Sequence, residues 1–175
     1  MHDAQRWFNH PFAISTLAVL AMTLGMTVAG CGDEPGDAGG QDRDLYDEAI
    51  AGDAYKSWSQ FPGASPDLNL SGQHNNTFVR SFMNDIAVAA IADFDGTFPE
   101  GTILVKEQYE DAEGKVLSGH TVMLKIDGYD SAHGDWYWVA YNAKGEATVH
   151  NGMAPYCSDC HTAAKANDWV YTAFK

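Results

Sequence analysis

The sequence predicts an α+β fold: a mainly antiparallel β-sheet with two or three helices packed on it. Two observations lead to this prediction. Apolar residues recur at helical spacing early in the chain, whereas from Phe98 the period changes from 3.6 to 2. The β-rich runs then follow one another with only Gly, Asp and Asn turns between them, which indicates antiparallel strands. We expect the two helices to pack on one side of this sheet.

Residues 1–30 are typical of an export signal. Arg6 precedes an apolar run over residues 12–29, and small residues follow directly before a cysteine. The run Val28-Ala29-Gly30-Cys31 resembles the lipobox of bacterial lipoproteins, in which the cysteine is acylated and becomes the first mature residue. An ordinary signal peptide or a retained anchor helix are the alternatives. We therefore expect a periplasmic or cell-surface protein that is lipid-anchored through Cys31 to a bacterial membrane.

The composition after this signal indicates a tether and one domain. Residues 31–44 are rich in Gly and Asp without apolar periodicity, so we expect a disordered linker, with the folded domain over residues 45–175. The formal net charge of −14 argues against nucleic acid and anionic lipid as direct partners, because phosphates would repel the protein. We interpret the charge first as favouring solubility, and second as a surface that favours a basic redox partner.

Two helices and four strands are predicted in detail. The helices are expected over Leu45–Trp58, with Asp44 as N-cap, and over Thr77–Ala92, with Asn76 or Thr77 as N-cap. Glu113-Gly114 and Ala143-Lys144-Gly145 are expected hairpin turns. The expected strands cover Thr102–Tyr109, Thr121–Ile126, Trp136–Tyr141 and Ala147–His150.

The run Cys157-Ser158-Asp159-Cys160-His161 is an attachment signal for one covalently bound c-type haem. Two thiols on one helical turn can each form a thioether with a vinyl group, and the next imidazole then lies under the iron as its ligand. A thioredoxin-like pair would lie early in a βα unit, a zinc site needs four ligands, and a disulfide this short would be strained. The chain has three cysteines, and acylation of Cys31 plus haem attachment uses all of them.

Several segments together resemble the cytochrome P-460 family, which includes the cytochromes c′-beta. The resemblance covers the chain from about Trp58 to its end. It is carried by Asn84-Asp85-Ile86-Ala87, by Phe98-Pro99-Glu100-Gly101-Thr102 continuing through Ile103-Leu104-Val105-Lys106-Glu107, by Thr121-Val122-Met123, by Gly134-Asp135-Trp136-Tyr137-Trp138 and by the haem motif.

This resemblance implies a P-460-like β fold and a five-coordinate haem with an open face. Cytochromes P-460 oxidise hydroxylamine and carry an extra bond from a lysine to the haem, and Lys106 matches that lysine. Cytochromes c′-beta lack the bond, have a more apolar pocket and bind nitric oxide. The lysine shares a strand face with Leu104, and the alternative is a strand lysine whose stem covers apolar surface. Relatives are commonly dimers, so a homodimer is possible here as well.

The sequence offers three sets of candidate residues for the open side of the iron. A hydroxylamine oxidase benefits from a carboxylate base, whereas aromatic walls would favour neutral diatomic ligands. A sixth protein ligand would make the protein a simple electron carrier. The carboxylate candidates are Asp127, Asp130, Asp135 and Glu146, the aromatic candidates are Phe78, Phe82, Trp136 and Trp138, and the sixth-ligand candidates are His74, His120, His133, His150, Met83, Met123 and Met153.

Overall fold

The computed structural model describes residues 38–171, and side chains from Gly40 onward. Seven strands form a single antiparallel sheet in the order β1-β3-β4-β5-β6-β7, and β2 pairs with β3 on the same side as β1. The strands are β1 (Ser59–Gln60), β2 (Asn69–Ser71), β3 (Thr77–Met83), β4 (Ile103–Tyr109), β5 (Leu117–Lys125), β6 (Trp136–Asn142) and β7 (Ala147–Gly152). The helices are α1 (Ala38–Leu45), α2 (Asp85–Ile91) and α3 (Pro155–His161).

The predicted fold class is confirmed, as are the four predicted strands to within a few residues. Both predicted hairpin turns are present, between β4 and β5 and between β6 and β7. Gly114 and Gly145 lie in these turns with φ of 69° and 80°, a left-handed conformation that glycine adopts without a Cβ clash. Consecutive hairpins therefore build the central sheet, as the alternating pattern indicated.

Helical segments pack on both faces of the sheet, so the expectation that they share one side is wrong. Because side chains alternate along a strand, Val105 and Val139 lie on one face with Ile50 from the N-terminal helical region. Leu104 and Trp138 point to the opposite face. That second face packs against Ala87 of α2 and against the C-terminal residues Trp169 and Val170.

Ordered structure begins before the expected domain boundary at residue 45. Helix α1 covers residues that we assigned to a disordered linker. Its Asp42 is 5% exposed, and its carboxylate accepts hydrogen bonds from the Tyr137 hydroxyl and the Asn151 amide, both at 2.5 Å. The Tyr141 hydroxyl donates to the Asp42 carbonyl at 2.6 Å. A polar sequence is therefore ordered here by partners on distant strands, which composition does not reveal.

The helix expected over residues 45–58 is present in a broken form. Helix α1 continues into a π-helical turn, Tyr46–Ile50, and a 3₁₀ segment, Ala51–Ser57. Gly52 and Asp53 interrupt it with φ of 64° and 60°. Asp44 therefore lies inside helical structure and is not an N-cap.

The first half of the helix expected over residues 77–92 is strand β3. Its spacing fits a helix, yet the chain pairs with β4 in a regular antiparallel register. The strand gives way to helix α2 at Asn84, whose side-chain oxygen accepts from the Ala87 amide at 3.1 Å. The N-cap is thus Asn84, and neither Asn76 nor Thr77. Short apolar runs fit both periods, and only strand pairing decided between them.

The predicted export signal and Cys31 lie outside the described residues. Among residues 38–171, none of the helices has the length and apolar character that crossing a membrane requires.

Candidate functional site

The predicted haem motif forms helix α3, directly after the last strand. Pro155 occupies the first turn, where its missing N–H costs no hydrogen bond. Cys157 and Cys160 are one helical turn apart, and both thiols are free. Burial, and then the neighbouring Cys160, raises the pKa of Cys157 to about 11, so this thiol is protonated at neutral pH. The two cysteines and His161 line the same cavity.

This cavity has a volume of about 560 Å³, within the range of sites that bind cofactors and other small molecules. One wall is the sheet face that carries Leu104, Lys106, Thr121, Met123 and Trp138. The turn between β2 and β3 contributes Gln73, His74 and Asn75, while α3 and the C-terminal residues Val170 and Tyr171 form the facing wall.

The His161 ring is oriented by the C-terminal segment that follows it. Its Nδ1 lies 2.7 Å from the Trp169 carbonyl oxygen, so Nδ1 carries the proton and donates, which leaves Nε2 free to bind a metal. Trp138 and Tyr171 contact the ring edge-on, with centroids 4.7 Å and 5.0 Å away. Burial lowers the pKa of His161, as does the Lys106 charge, while the hydrogen bond to Trp169 opposes this. A neutral imidazole is the form that binds metal.

Lys106 projects into the cavity from β4, on the same face as Leu104, as its position in the strand predicted. Its Nζ lies 2.9 Å from Nε2 of His74. Burial lowers the pKa of Lys106 to about 8, although Cys160 opposes the shift. Burial, and then the charges of Lys106 and His161, lowers the pKa of His74 to about 4. His74 is therefore neutral at pH 7, and its Nε2 accepts a hydrogen bond from the lysine.

None of the four candidate carboxylates lines the cavity, and among its described lining residues there is no Asp or Glu. Asp130 accepts a hydrogen bond from His133 at 2.8 Å, and Glu146 accepts one from Asn142 at 2.8 Å. Of the aromatic candidates only Trp138 lines the cavity, whereas Phe82 packs on the opposite face of the sheet.

The sixth-ligand candidates separate into two groups. Met83 is buried in the core, Met153 is exposed and His133 pairs with Asp130. His74, His120, His150 and Met123 contribute to the cavity wall, but the His120 ring bonds to Tyr55 on the other face of the sheet. His150 stacks on Tyr156 with centroids 4.6 Å apart.

These residues fit a covalently attached haem. The free thiols have the spacing of two thioether bonds, the imidazole presents an unprotonated Nε2, and all three residues line one cavity, whose sheet wall includes the apolar side chains of Leu104, Met123 and Trp138. Cys157, Cys160 and His161 would hold the group. Sequence reasoning named His74 only as a candidate sixth ligand and did not identify Trp169 or Tyr171, because these roles depend on contacts that the fold creates.

Comparison with known families supports the same interpretation. No curated protein matches the chain. The family model described as Cytochrome P460 matches residues 52–172, which is well over half of the 175-residue sequence. The chain therefore belongs to the cytochrome P460 family, whose members are c-type haem proteins.

Proposed function

We propose that this is an exported protein with one covalently bound haem c, whose iron has one open coordination position and acts on hydroxylamine or a related nitrogen oxide. His161 ligates the iron, Cys157 and Cys160 anchor the ring, and electrons pass to a redox partner protein. The observation that supports this most directly is the His161 ring, with Nδ1 hydrogen-bonded to Trp169 and Nε2 free in the cavity of the two thiols.

When bound, haem would supply an iron able to bind a small nitrogen ligand and to accept its electrons. Oxidation of hydroxylamine also releases protons, so the cavity needs a proton acceptor. Nε2 of His74 is a weak acceptor, because burial lowers the pKa of this ring to about 4 and Nε2 already receives a hydrogen bond from Lys106 at 2.9 Å. The buried Lys106 amine lines the same cavity, which supports the proposal that it forms the additional bond to haem that the family resemblance implies.

One observation favours a second candidate function, the binding of nitric oxide without turnover. The described lining of the cavity contains no carboxylate, which a hydroxylamine oxidase would use as a base. A simple electron carrier is the third candidate, and it would require a sixth ligand such as His74 or His150 from the cavity wall.

The cellular location, the redox partner and the oligomeric state are part of the same proposal. Lipid attachment at Cys31 would hold the protein on a bacterial membrane, in the periplasm or at the cell surface, where c-type haem is attached. The net charge of −14 supports a basic redox partner through electrostatic steering. A homodimer is proposed from the resemblance alone.

The visible spectrum of the reduced protein, with its intact mass, tests the proposed function after expression with a haem-maturation system. A strongly red-shifted ferrous Soret band that disappears in Lys106→Arg would establish the lysine bond and favour hydroxylamine chemistry. Lys115→Arg is the matched control, because Lys115 lies exposed in the β4–β5 turn and should leave the spectrum unchanged.

Two other outcomes would redirect the proposal. A high-spin spectrum without the red shift, which changes on adding nitric oxide, would support the binding protein. A low-spin spectrum that ignores added ligands would support the electron carrier. Covalent haem that survives acid–organic extraction in a variant with Cys157→Ala, Cys160→Ala and Lys106→Arg would show that the motif is not the attachment site.

A further inference from the structure

We propose that Asp168, anchored by Lys125, is a positioning residue for the axial ligand His161. Lys125 and Asp168 do not line the cavity, yet they hold the Trp169 backbone carbonyl in place, and this carbonyl orients the His161 imidazole. The inference rests on one part of the proposed function, the ligation of haem iron by His161, and not on any substrate.

Lys125 and Asp168 form a buried ion pair. Both side chains are 4% exposed, and the lysine Nζ lies 2.9 Å and 2.8 Å from the two carboxylate oxygens. The lysine also donates to the Gly134 carbonyl at 2.6 Å, and the Phe98 amide donates to the aspartate at 2.8 Å. These bonds tie Asp168 to the end of β5 and to two loops.

The fixed Asp168 sets the path of the next residue. The backbone of Asp168 and of Trp169 is left-handed, with φ of 51° and 60°, a strained conformation that persists only where several contacts enforce it. The Trp136 indole donates to the Asp168 carbonyl at 2.8 Å, and the Trp169 amide donates to the Ala164 carbonyl at 3.0 Å. In this arrangement the Trp169 carbonyl points at Nδ1 of His161, 2.7 Å away.

This carbonyl controls the electron donation of the imidazole. A hydrogen bond from Nδ1–H to an acceptor fixes the tautomer and makes Nε2 a stronger donor, which favours ferric over ferrous iron. A buried ion pair contributes little net stability compared with apolar residues, so specification of local geometry is a reason for its presence here. Loss of Lys125 or Asp168 should let the Trp169 carbonyl move, which would weaken the electron donation from His161 Nε2.

The test compares three variants by spectroelectrochemistry and by resonance Raman spectroscopy of the iron–histidine stretch: Asp168→Asn, Lys125→Met and the double variant Lys125→Met, Asp168→Leu. The positioning role predicts the same change in all three variants. The ferric–ferrous equilibrium should shift toward ferrous iron, and the iron–histidine stretching frequency should fall. We expect an about tenfold shift in the ferric–ferrous equilibrium, which is about 59 mV for one electron.

A through-space effect of charge predicts a different pattern. Asp168→Asn removes a negative charge and Lys125→Met a positive one, so the two variants would shift the reduction potential in opposite directions. In the double variant the two shifts would cancel. The matched control is Asp42→Asn, another buried carboxylate, bonded on the other face of the sheet; it should lower stability without moving potential or frequency.

Opposite shifts, or reduced stability with both haem readouts unmoved, would overturn the positioning role. The apolar double variant keeps the site packed if a single variant folds poorly. Wild-type protein without covalent haem would overturn the proposed function and the ligand role of His161. If the wild-type protein carries covalent haem but the variants keep its reduction potential and stretching frequency, only the inference about Asp168 would be overturned.

Discussion

At the scale of residues, neighbouring positions of β4 serve opposite faces of the sheet. Lys106 faces the cavity, whereas Glu107 is fully buried on the other face. Glu107 accepts hydrogen bonds from Arg80 at 2.7 Å and from Tyr55 at 2.8 Å. Tyr55 has one hydroxyl proton and donates it to Glu107. The His120 Nε2–H must therefore be the donor in its 3.1 Å hydrogen bond to the Tyr55 oxygen. A charged network therefore supports the back of the strand that carries Lys106.

His120 should make the fold sensitive to mild acid. Burial lowers its pKa, with opposition from Glu107, so the native ring stays neutral while the unfolded ring takes up a proton near pH 6.5. The unfolded state then binds more protons, and stability falls as the pH drops below about 6.5. Urea unfolding at pH 7 and pH 5 should show a smaller acid loss in His120→Gln, whose amide still donates to Tyr55. An equal loss in both proteins would contradict this assignment.

At the scale of elements, Asn84 ends a strand, begins a helix and fastens a loop. Its Oδ1 caps α2 at the Ala87 amide, 3.1 Å away, and its Nδ2 donates to the Gly101 carbonyl at 2.8 Å. Ala87 is fully buried against the cavity side of the sheet, so the cap determines where α2 packs. One polar side chain thus links α2 to the loop that leads into β4.

Asn84→Ala should lower the free energy of unfolding by about 2 kcal/mol, since both bonds are lost. Asn84→Asp keeps the cap and loses only the donor to Gly101, so we expect a loss of about 1 kcal/mol. The measurement is the urea midpoint at an unchanged m value. Equal losses in the two variants would show that the two bonds do not act separately.

At the scale of the whole molecule, the site lies between one face of the sheet and the C-terminal residues that follow the haem motif. Tyr171 contacts the His161 ring and donates to the Cys160 carbonyl at 2.6 Å. His161, the proposed iron ligand, is therefore held by the sheet and by the C-terminal residues together. The N-terminal segment that we propose to be lipid-modified belongs to the opposite end of the sequence.

Cys31→Ser should release the protein from the membrane without altering its haem. The wild-type chain should incorporate labelled fatty acid and enter the detergent phase in a phase-partition assay, because acyl chains supply the anchor. The serine variant should do neither and should keep the wild-type visible spectrum. Partition of both proteins into the aqueous phase would leave plain secretion as the explanation.

The sequence alone was sufficient for the central strands and for the cofactor motif. Alternating apolar residues predict β4 to β7, since burial of one face imposes a period of two. Cys157, Cys160 and His161 lie within five residues of one another, so the haem attachment that we propose for them is predicted without a fold. Thr77–Met83 was misassigned because a short apolar run fits both periods.

Only the tertiary structure decided which residues surround the motif. His74 meets Lys106 from 32 positions away, and Asp168 meets Lys125 across 43 positions. Asp42 orders a polar helix through tyrosines of β6. Local periodicity and spacing depend on neighbours along the chain. These contacts instead depend on strand register and on the packing of segments that are far apart in the sequence. The sequence therefore determined the kind of cofactor and the kind of sheet, and tertiary packing determined the orientation of His161 and the surroundings of Lys106.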